Sequence, residues 1–486
     1  MRSNQIILGR MWAKPVPPDV SEAQRRPQQD GPGGQTSHAN RYSNPTEMRL
    51  VHKLDYRIMP ILWVMYFLNI LDRTALPQAR LNTLEKDLHL NGDEYNTAVA
   101  VLFAGYLLMQ VPSNMFLTRT NPSVYLPICM VAWAVVTACT ALVKNYGGLL
   151  AACFCLGLAE AGYYPAALYL LSVFYTRKEL TVRIAILYSG MVIATSCSGL
   201  IAAAVFATLD NTHNLAGWRW LYIIEGVVTL GISLVSFFLL PEDPAKTQWL
   251  NHEECEFAVS RIRHDTVGLK ADSTIWEGFR QACSDPKTWL FCLMFNLNVS
   301  TCSFVNFFPT IVKSFEFRSS TTALLLTAPP YLLSALVSIL LAWSSGHFNE
   351  RTWHITAGLV LAVIGFVVSC SSMTTSARYA STFLYTIGAY SVTSIILAWI
   401  PATLSQTPEK KAVSISMINV LGNASYIYLA YLWPKKDSPR YFTGFSSMVA
   451  FAIGGIACVW VMRFWLVSLN RKLEGQDEGV QATYSY

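Results

Sequence analysis

The sequence predicts an all-α membrane protein of twelve transmembrane helices arranged as two six-helix halves. Three observations predict it. Hydrophobic residues make up 53% of the 486 positions and charged residues only 14%, against ~25% charge in a typical soluble domain. Apolar runs near the ~20 residues that a bilayer-crossing helix needs recur along the chain. These runs fall into two groups of six, separated by one long polar stretch. A soluble protein of this balance would lack polar atoms to cover its surface, so soluble enzymes and nucleic-acid-binding proteins are disfavoured as classes.

Residues 1–50 are rich in Pro, Gly, Gln and Ser, as in Gln28-Gln29-Asp30-Gly31-Pro32-Gly33-Gly34. Such a segment buries too little apolar area to offset its ordering entropy, and a disordered cytoplasmic tail is expected. Its apolar run, Ile6-Ile7-Leu8, is too short for a signal peptide, so insertion through an internal span is expected. The first half, 51–240, carries runs over Arg57–Leu76, Tyr95–Leu117, Val124–Val143, Gly148–Tyr175, Ile184–Leu209 and Trp220–Leu240. A polar central loop follows over 241–287. Within it Trp276, Phe279 and Cys283 recur at helical spacing behind Ser273, a residue suited to capping, which predicts a short amphipathic helix on the membrane face. The second half, 288–468, repeats the layout over Thr288–Val312, Ala323–Ser345, Trp353–Met373, Tyr379–Leu404, Ala412–Trp433 and Phe442–Ser468, before a polar tail over 469–486.

Most of the 36 Lys and Arg fall on one side if both termini are cytoplasmic, as the positive-inside rule requires. The net charge of +6 then needs no nucleic-acid partner. The 11 cysteines sit mostly inside apolar runs, without a C-x-x-C pair or neighbouring His. They behave as small hydrophobes, and no metal or other cofactor is expected. Two six-span halves joined by a cytoplasmic loop suit a transporter working by alternating access.

Charges inside a span are costly and usually face a cavity or a partner. Asp72-Arg73 closes the first run, with Asp72 ~22 Å along the helix from Arg57. Arg73 is either a fixed cation for an anionic substrate or half of an interfacial salt bridge with Asp72. Glu160 lies ~18 Å into the fourth span, with no base nearby in sequence and small residues around it. A carboxyl so placed is a candidate proton carrier. Glu225 lies six positions beyond Arg219, off its helix face, and both read as structural intramembrane residues. In span seven Asn296 and Ser300 share a face with Ser303, and Asn419 and Asn423 do so in span eleven. These either contact substrate or join helices.

Four segments carry a resemblance. They are Tyr66-Phe67-Leu68-Asn69-Ile70-Leu71-Asp72-Arg73; Gly105-Tyr106-Leu107-Leu108-Met109-Gln110-Val111-Pro112-Ser113-Asn114; Gly157-Leu158-Ala159-Glu160-Ala161-Gly162-Tyr163-Tyr164-Pro165; and Gly217-Trp218-Arg219-Trp220-Leu221-Tyr222-Ile223-Ile224-Glu225-Gly226. On them the chain resembles the major facilitator superfamily, and within it the fungal allantoate-permease branch of the anion:cation symporters. The resemblance implies proton-coupled import at the plasma membrane of a small carboxylate, of the nicotinate, allantoate or pantothenate kind. It implies Asp72 and Glu160 as proton carriers and Arg73 as the substrate's counter-ion. Asn69, Tyr163, Asn296, Ser300 and Asn419 complete the candidate substrate contacts. The chain departs from the pattern at Cys153, where an Arg is usual seven residues before Glu160, and at Gly346-His347, where a gating Asp-Arg is usual. Glu160 is therefore expected to lack its customary cation. A monomer with protons, a small organic anion and the lipid bilayer as partners is expected. Efflux by proton exchange and a non-transporting nutrient sensor are the alternative readings.

Overall fold

The computed structural model describes residues 45–474 apart from 118–119, 246, 248, 267–274, 316–319, 349, 373 and 405–407. The expected tail over 1–44, the Ser273 cap and the last residues of the C-terminal tail lie outside the described residues. All regular structure among the described residues is helical. Helices satisfy their own backbone groups, which a hydrocarbon solvent demands.

Eleven stretches are long and apolar enough to cross a membrane, from Glu47–Leu81 to Phe442–Arg471. The remaining predicted span, the second, is the 24-residue helix Glu94–Leu117, which at ~1.5 Å per residue is also long enough. Twelve spans therefore stand where the apolar runs place them. The ends differ in instructive ways. Helix Pro45–Leu81 begins inside the segment read as tail, because Pro45 opens it and Glu47 sits in its first turn, both favourable at a helix N-terminus. The last helix continues through Glu474. Span four is broken: Tyr146–Glu160 ends, Ala161 and Gly162 turn, and Tyr163–Phe174 resumes. Pro165 explains the break, since its ring excludes a regular bond to the carbonyl of Ala161. Span seven breaks similarly, as Pro286–Thr301, a 3-10 turn over Ser303–Asn306 and Phe308–Lys313.

In the first half, span two packs on span four and span three on spans four and six. In the second, span nine packs on ten and twelve, and span seven on eleven and twelve. The halves meet through spans five and eight and through spans two and eleven. Close approach of spans two and four depends on two glycines. A Cβ on Gly157 would stand 2.0 Å from the Leu102 carbonyl oxygen, and one on Gly105 2.5 Å from that of Phe154.

The central segment holds two helices. Ile275–Ser284 is the expected amphipathic one: Trp276 and Phe279 stack at 5.5 Å and are exposed, while Ala282 is buried. His252–Thr266 was not visible in the hydropathy pattern. It is tied to the first half by Lys53 donating to Glu254 at 2.7 Å and Arg261 to Glu179 at 2.8 Å. The Lys53 hydrogen bond holds Glu254 below the ordinary carboxylate range. A depressed carboxyl contributes stability above its unfolded value, ~4.3, and loses it as pH falls through the folded one. The tie is thus intact at neutral pH.

At the end where the described chain begins and ends, Arg183 pairs with Asp55 at 2.7 Å, Lys410 with Asp285 and Arg463 with Glu350, each within one half or its docked central segment. At the opposite end, bonds cross between the halves. Glu85 accepts from Arg80 of its own half and from Lys435 of the other, both at 2.8 Å. Lys313 donates to the Leu81 carbonyl at 3.2 Å, Tyr95 to that of Asn306 at 3.3 Å and Asn96 to that of Trp433 at 3.5 Å. Burial opposes the Glu85 charge, but Arg80 and Lys435 outweigh it and hold Glu85 below the usual carboxylate range. This end is closed by a latch. Glu85→Gln should loosen it by ~0.2–1 kcal/mol, the worth of a partly exposed pair. A cysteine placed at buried Gln78, beneath the latch, should then react up to several-fold faster with a maleimide added on that side.

Candidate functional site

The charged residues placed deep within the spans belong to the first half, and the helix faces sort them into two groups. Asp72 and Arg73 are neighbours on span one, so they point ~100° apart. Arg73 turns toward span four. Its Nε donates to Glu160 Oε2 at 2.7 Å. Its guanidinium carbon lies 4.7 Å from the centre of the Tyr106 ring on span two. The Glu160 side chain is fully buried, and that of Arg73 keeps 18% exposure. The expectation that Glu160 lacks a cation is therefore corrected. Cys153 does leave the usual position without charge, but span one supplies the cation instead. A contact across helices was not readable from spacing within span four.

The Gly105–Gly157 contact and the break in span four build this arrangement. The first brings the spans together one residue before Tyr106, and the second leaves Glu160 as the last residue of its helix. Glu160 Oε1 has no hydrogen-bond partner among the described residues. Nor does Nδ2 of Asn69, one turn before Arg73, or Oε1 of Gln110, one turn beyond Tyr106; both side chains are buried. Unspent polar atoms thus surround the ion pair. Arg73 bonds Glu160 through Nε, and the terminal edge of its guanidinium lies within reach of the Tyr106 hydroxyl. A carboxylate can grip such an edge with two parallel bonds.

Asp72 turns away, into the packing of spans three and six. It accepts from Thr229 at 3.0 Å and is 1% exposed. Glu225 is close enough to interact with it electrostatically. Asp72 Oδ1, Glu225 Oε2 and the Trp133 indole nitrogen are all buried and unpartnered among the described residues. Arg219 donates to the Ala141 carbonyl and covers the Trp218 ring at 4.4 Å, binding spans three and six at their ends.

The uncharged candidates scatter. Tyr163 is buried and donates to the Leu62 carbonyl at 2.6 Å. Asn296 donates to the Leu421 carbonyl at 2.8 Å and accepts from Tyr428 at 2.9 Å, and Ser300 shares that Tyr428 hydroxyl. Asn419 Oδ1 accepts from Asn423. These four are occupied in helix contacts and do not gather at Arg73. Asn69 alone among the uncharged candidates shares the Arg73 face.

A model of the Major Facilitator Superfamily matches residues 62–430. The chain belongs to the Major Facilitator Superfamily. Among curated relatives of this superfamily chain, the MFS-type transporter efuF of Hormonema carpetanum is 30% identical over 86% of this chain and 85% of its own. The major facilitator-type transporter hxnP of Emericella nidulans is 30% identical over 89% and 88%. The high-affinity nicotinic acid transporter of Saccharomyces cerevisiae is 29% identical over 88% and 80%. Of solved structures, a bacterial homologue of the human lysosomal transporter Spinster, inward-facing and occupied, aligns with a TM-score of 0.65 at 16% identity, over 86% of this chain and 97% of the other. The xylose transporter XylE from E. coli, partially occluded and inward open, aligns at 0.61 and 14%, over 83% and 98%. These structures share the major facilitator fold.

Sequence reasoning missed the rings around Arg73. Tyr66, Tyr106 and Tyr164 lie in the quoted segments, but only Tyr163 was singled out. The available signal was the i, i+7 spacing of Tyr66 and Arg73, which puts both on one face of span one. The buried pair makes a stability prediction for this superfamily member. Glu160→Ala leaves Arg73 uncompensated and should cost on the order of 2–3 kcal/mol, somewhat below a fully sealed pair because Arg73 keeps some exposure. Thermal unfolding in detergent should fall accordingly, and Arg73→Met added to Glu160→Met should recover much of the loss.

Proposed function

We propose that this major facilitator protein imports a small organic anion together with a proton, exchanging access between the two sides of a plasma membrane. The observation that carries the reading is the Arg73–Glu160 pair, in which the carboxyl is fully buried and the cation keeps some exposure. Charge balance supplies the mechanism. The empty site holds one cation and one anion. A carboxylate arriving on Arg73 alone would leave a net negative charge in a poorly solvated bundle, which is costly. A proton arriving on Glu160 alone would leave Arg73 unbalanced. Both together restore neutrality, with Arg73 paired to the substrate and Glu160 uncharged. The neutral loaded site crosses between states more readily than a half-loaded one. Asp72 is a second acidic group on the same helix and is proposed to respond to protonation from within the span one, three and six packing. If the termini are cytoplasmic, the latch at Glu85 closes the outer end, and the chain is in its inward-facing form. The relatedness to a nicotinic acid transporter supports a carboxylate as cargo.

Glu160→Gln should abolish accumulation driven by an inwardly directed proton gradient, yet keep exchange of labelled for unlabelled substrate. Normal accumulation in that variant would remove Glu160 from coupling. Arg73→Ala should raise KM tenfold or more or eliminate uptake, and unchanged uptake would exclude it from the site. Carboxylates in a growth panel of an uptake-deficient host identify the cargo. The direction of labelled movement in vesicles under an imposed gradient separates import from efflux.

A further inference from the structure

Span six carries Glu225 and Thr229 four residues apart in the unbroken helix Gly217–Leu239, so they share a face one turn apart. Thr229 Oγ1 donates to Asp72 Oδ2 at 3.0 Å, which fixes that face against span one. Next to Glu225, Gly226 lies hard against span three: a Cβ on it would stand 2.7 Å from the Ala138 backbone nitrogen. Asp72 is 1% and Glu225 3% exposed. Two carboxyls are thus sealed where spans one, three and six meet.

No cation joins them. Among the described residues neither makes an ion pair, since Arg73 turns to Glu160 and Arg219 to the Ala141 carbonyl. Glu160 and Tyr222 also lie within electrostatic reach, and neither adds positive charge. Hydrogen bonding shows what is missing. Asp72 Oδ1, Glu225 Oε2 and the Trp133 indole N–H are buried and unpartnered among the described residues. Trp133 is fully buried on span three, with its N–H facing Asp72. Two ionised carboxylates offer acceptors only. Thr229 and Trp133 both serve Asp72, so the Glu225 oxygen would stay unsatisfied and two like charges would share one unsolvated site. One proton removes both problems. The acid O–H donates to the facing carboxylate, and a single negative charge remains for Thr229 and Trp133 to solvate. A metal ion fits less well, because both of those donors turn hydrogens toward it.

We propose that Asp72 and Glu225 share a single proton, held on one carboxyl and donated to the other, so that an acid–carboxylate bond ties span one to span six. The dyad is a second protonation site, separate from the Arg73–Glu160 pair. It deepens the reading of Asp72 as a proton-responsive group and holds whatever the cargo is.

Infrared spectra of full-length protein in liposomes at neutral pH test it through the C=O stretch of a protonated carboxyl. Asp72→Asn and Glu225→Gln should each abolish the same acid band, since an amide N–H replaces the shared proton and leaves one carboxylate. Glu160→Gln should leave that band in place. Either dyad variant decides if the other fails to fold, and the wild-type spectrum is a test by itself. No acid band in the wild type overturns the proposal. So does a band that survives the single variants, which would mean two protons. Carboxylate stretches that shift between sodium and potassium buffers, with no acid band, would make the occupant a metal ion and overturn it too. A band lost only in Glu160→Gln removes the dyad and leaves the coupling role of Glu160 standing. Normal proton-driven accumulation in Glu160→Gln, with the band behaving as expected, removes that coupling role and leaves the dyad.

Discussion

The bond from Arg73 to Glu160 is the constraint around which the first half is organised. Either residue alone would be an uncompensated charge in a span, costing several kcal/mol by any scale. Together they require span one and span four to meet at a fixed height. The fold meets this with backbone features. Gly105 and Gly157 let spans two and four touch, and Pro165 ends the helix just after Glu160. Tyr106 then lies against the guanidinium.

Separation of Asp72 from Arg73 follows from the same geometry. Consecutive helix residues cannot serve one site, so the adjacent pair that looks like a salt bridge in sequence is divided between two environments. Arg73 retains some exposure, while Asp72 is sealed against Thr229 near Glu225 and Trp133. Two carboxylates there would repel without a cation between them, and the packing of spans one, three and six depends on how that cluster is occupied. The second half behaves differently. Its ion pairs, such as Lys410 with Asp285 and Arg463 with Glu350, stand at helix ends. Its interior polarity comes from amides and hydroxyls, as in Asn298 donating to Thr393 at 2.9 Å.

The fold was legible because lipid imposes one rule on every span: length and apolarity suffice, and both are local properties of sequence. Helix ends were less legible, since Pro45 and Pro165 act through capping and ring sterics that hydropathy does not register. Helix His252–Thr266 was hidden for a related reason. It is held by Lys53 and Glu179 from elsewhere in the chain, not by an apolar face of its own. At the site, Arg73 and Glu160 could be named individually because a charge in an apolar run stands out. Their pairing was invisible because it joins spans 87 residues apart in sequence. Asn296, Ser300 and Asn419 share helix faces as their spacing required, but spacing fixes a face and not the neighbour opposite it. The tyrosines were missed since a ring in an apolar run resembles core until its hydroxyl is followed to a partner or to none.

The division of labour between the halves bears on how access alternates. Among the described residues, the charges deep within the spans, Asp72, Arg73, Glu160 and Glu225, sit in the first half, so on the proposed reading the anion is anchored there throughout the cycle. The second half contributes Tyr426, whose ring stacks on Phe103 of span two at 4.3 Å and 12°. That contact crosses the same span two and span eleven seam that the latch closes at its end. A cargo seated between Arg73 and the tyrosines would touch both sides of the seam. Its binding energy would then act directly on the interface that must rearrange, with no relay through intervening helices. A ligand shifts a conformational equilibrium only by its differential affinity for the two states. A cargo held on Arg73 keeps that contact in both states, while a contact to Tyr426 across the seam changes between them, which provides that difference.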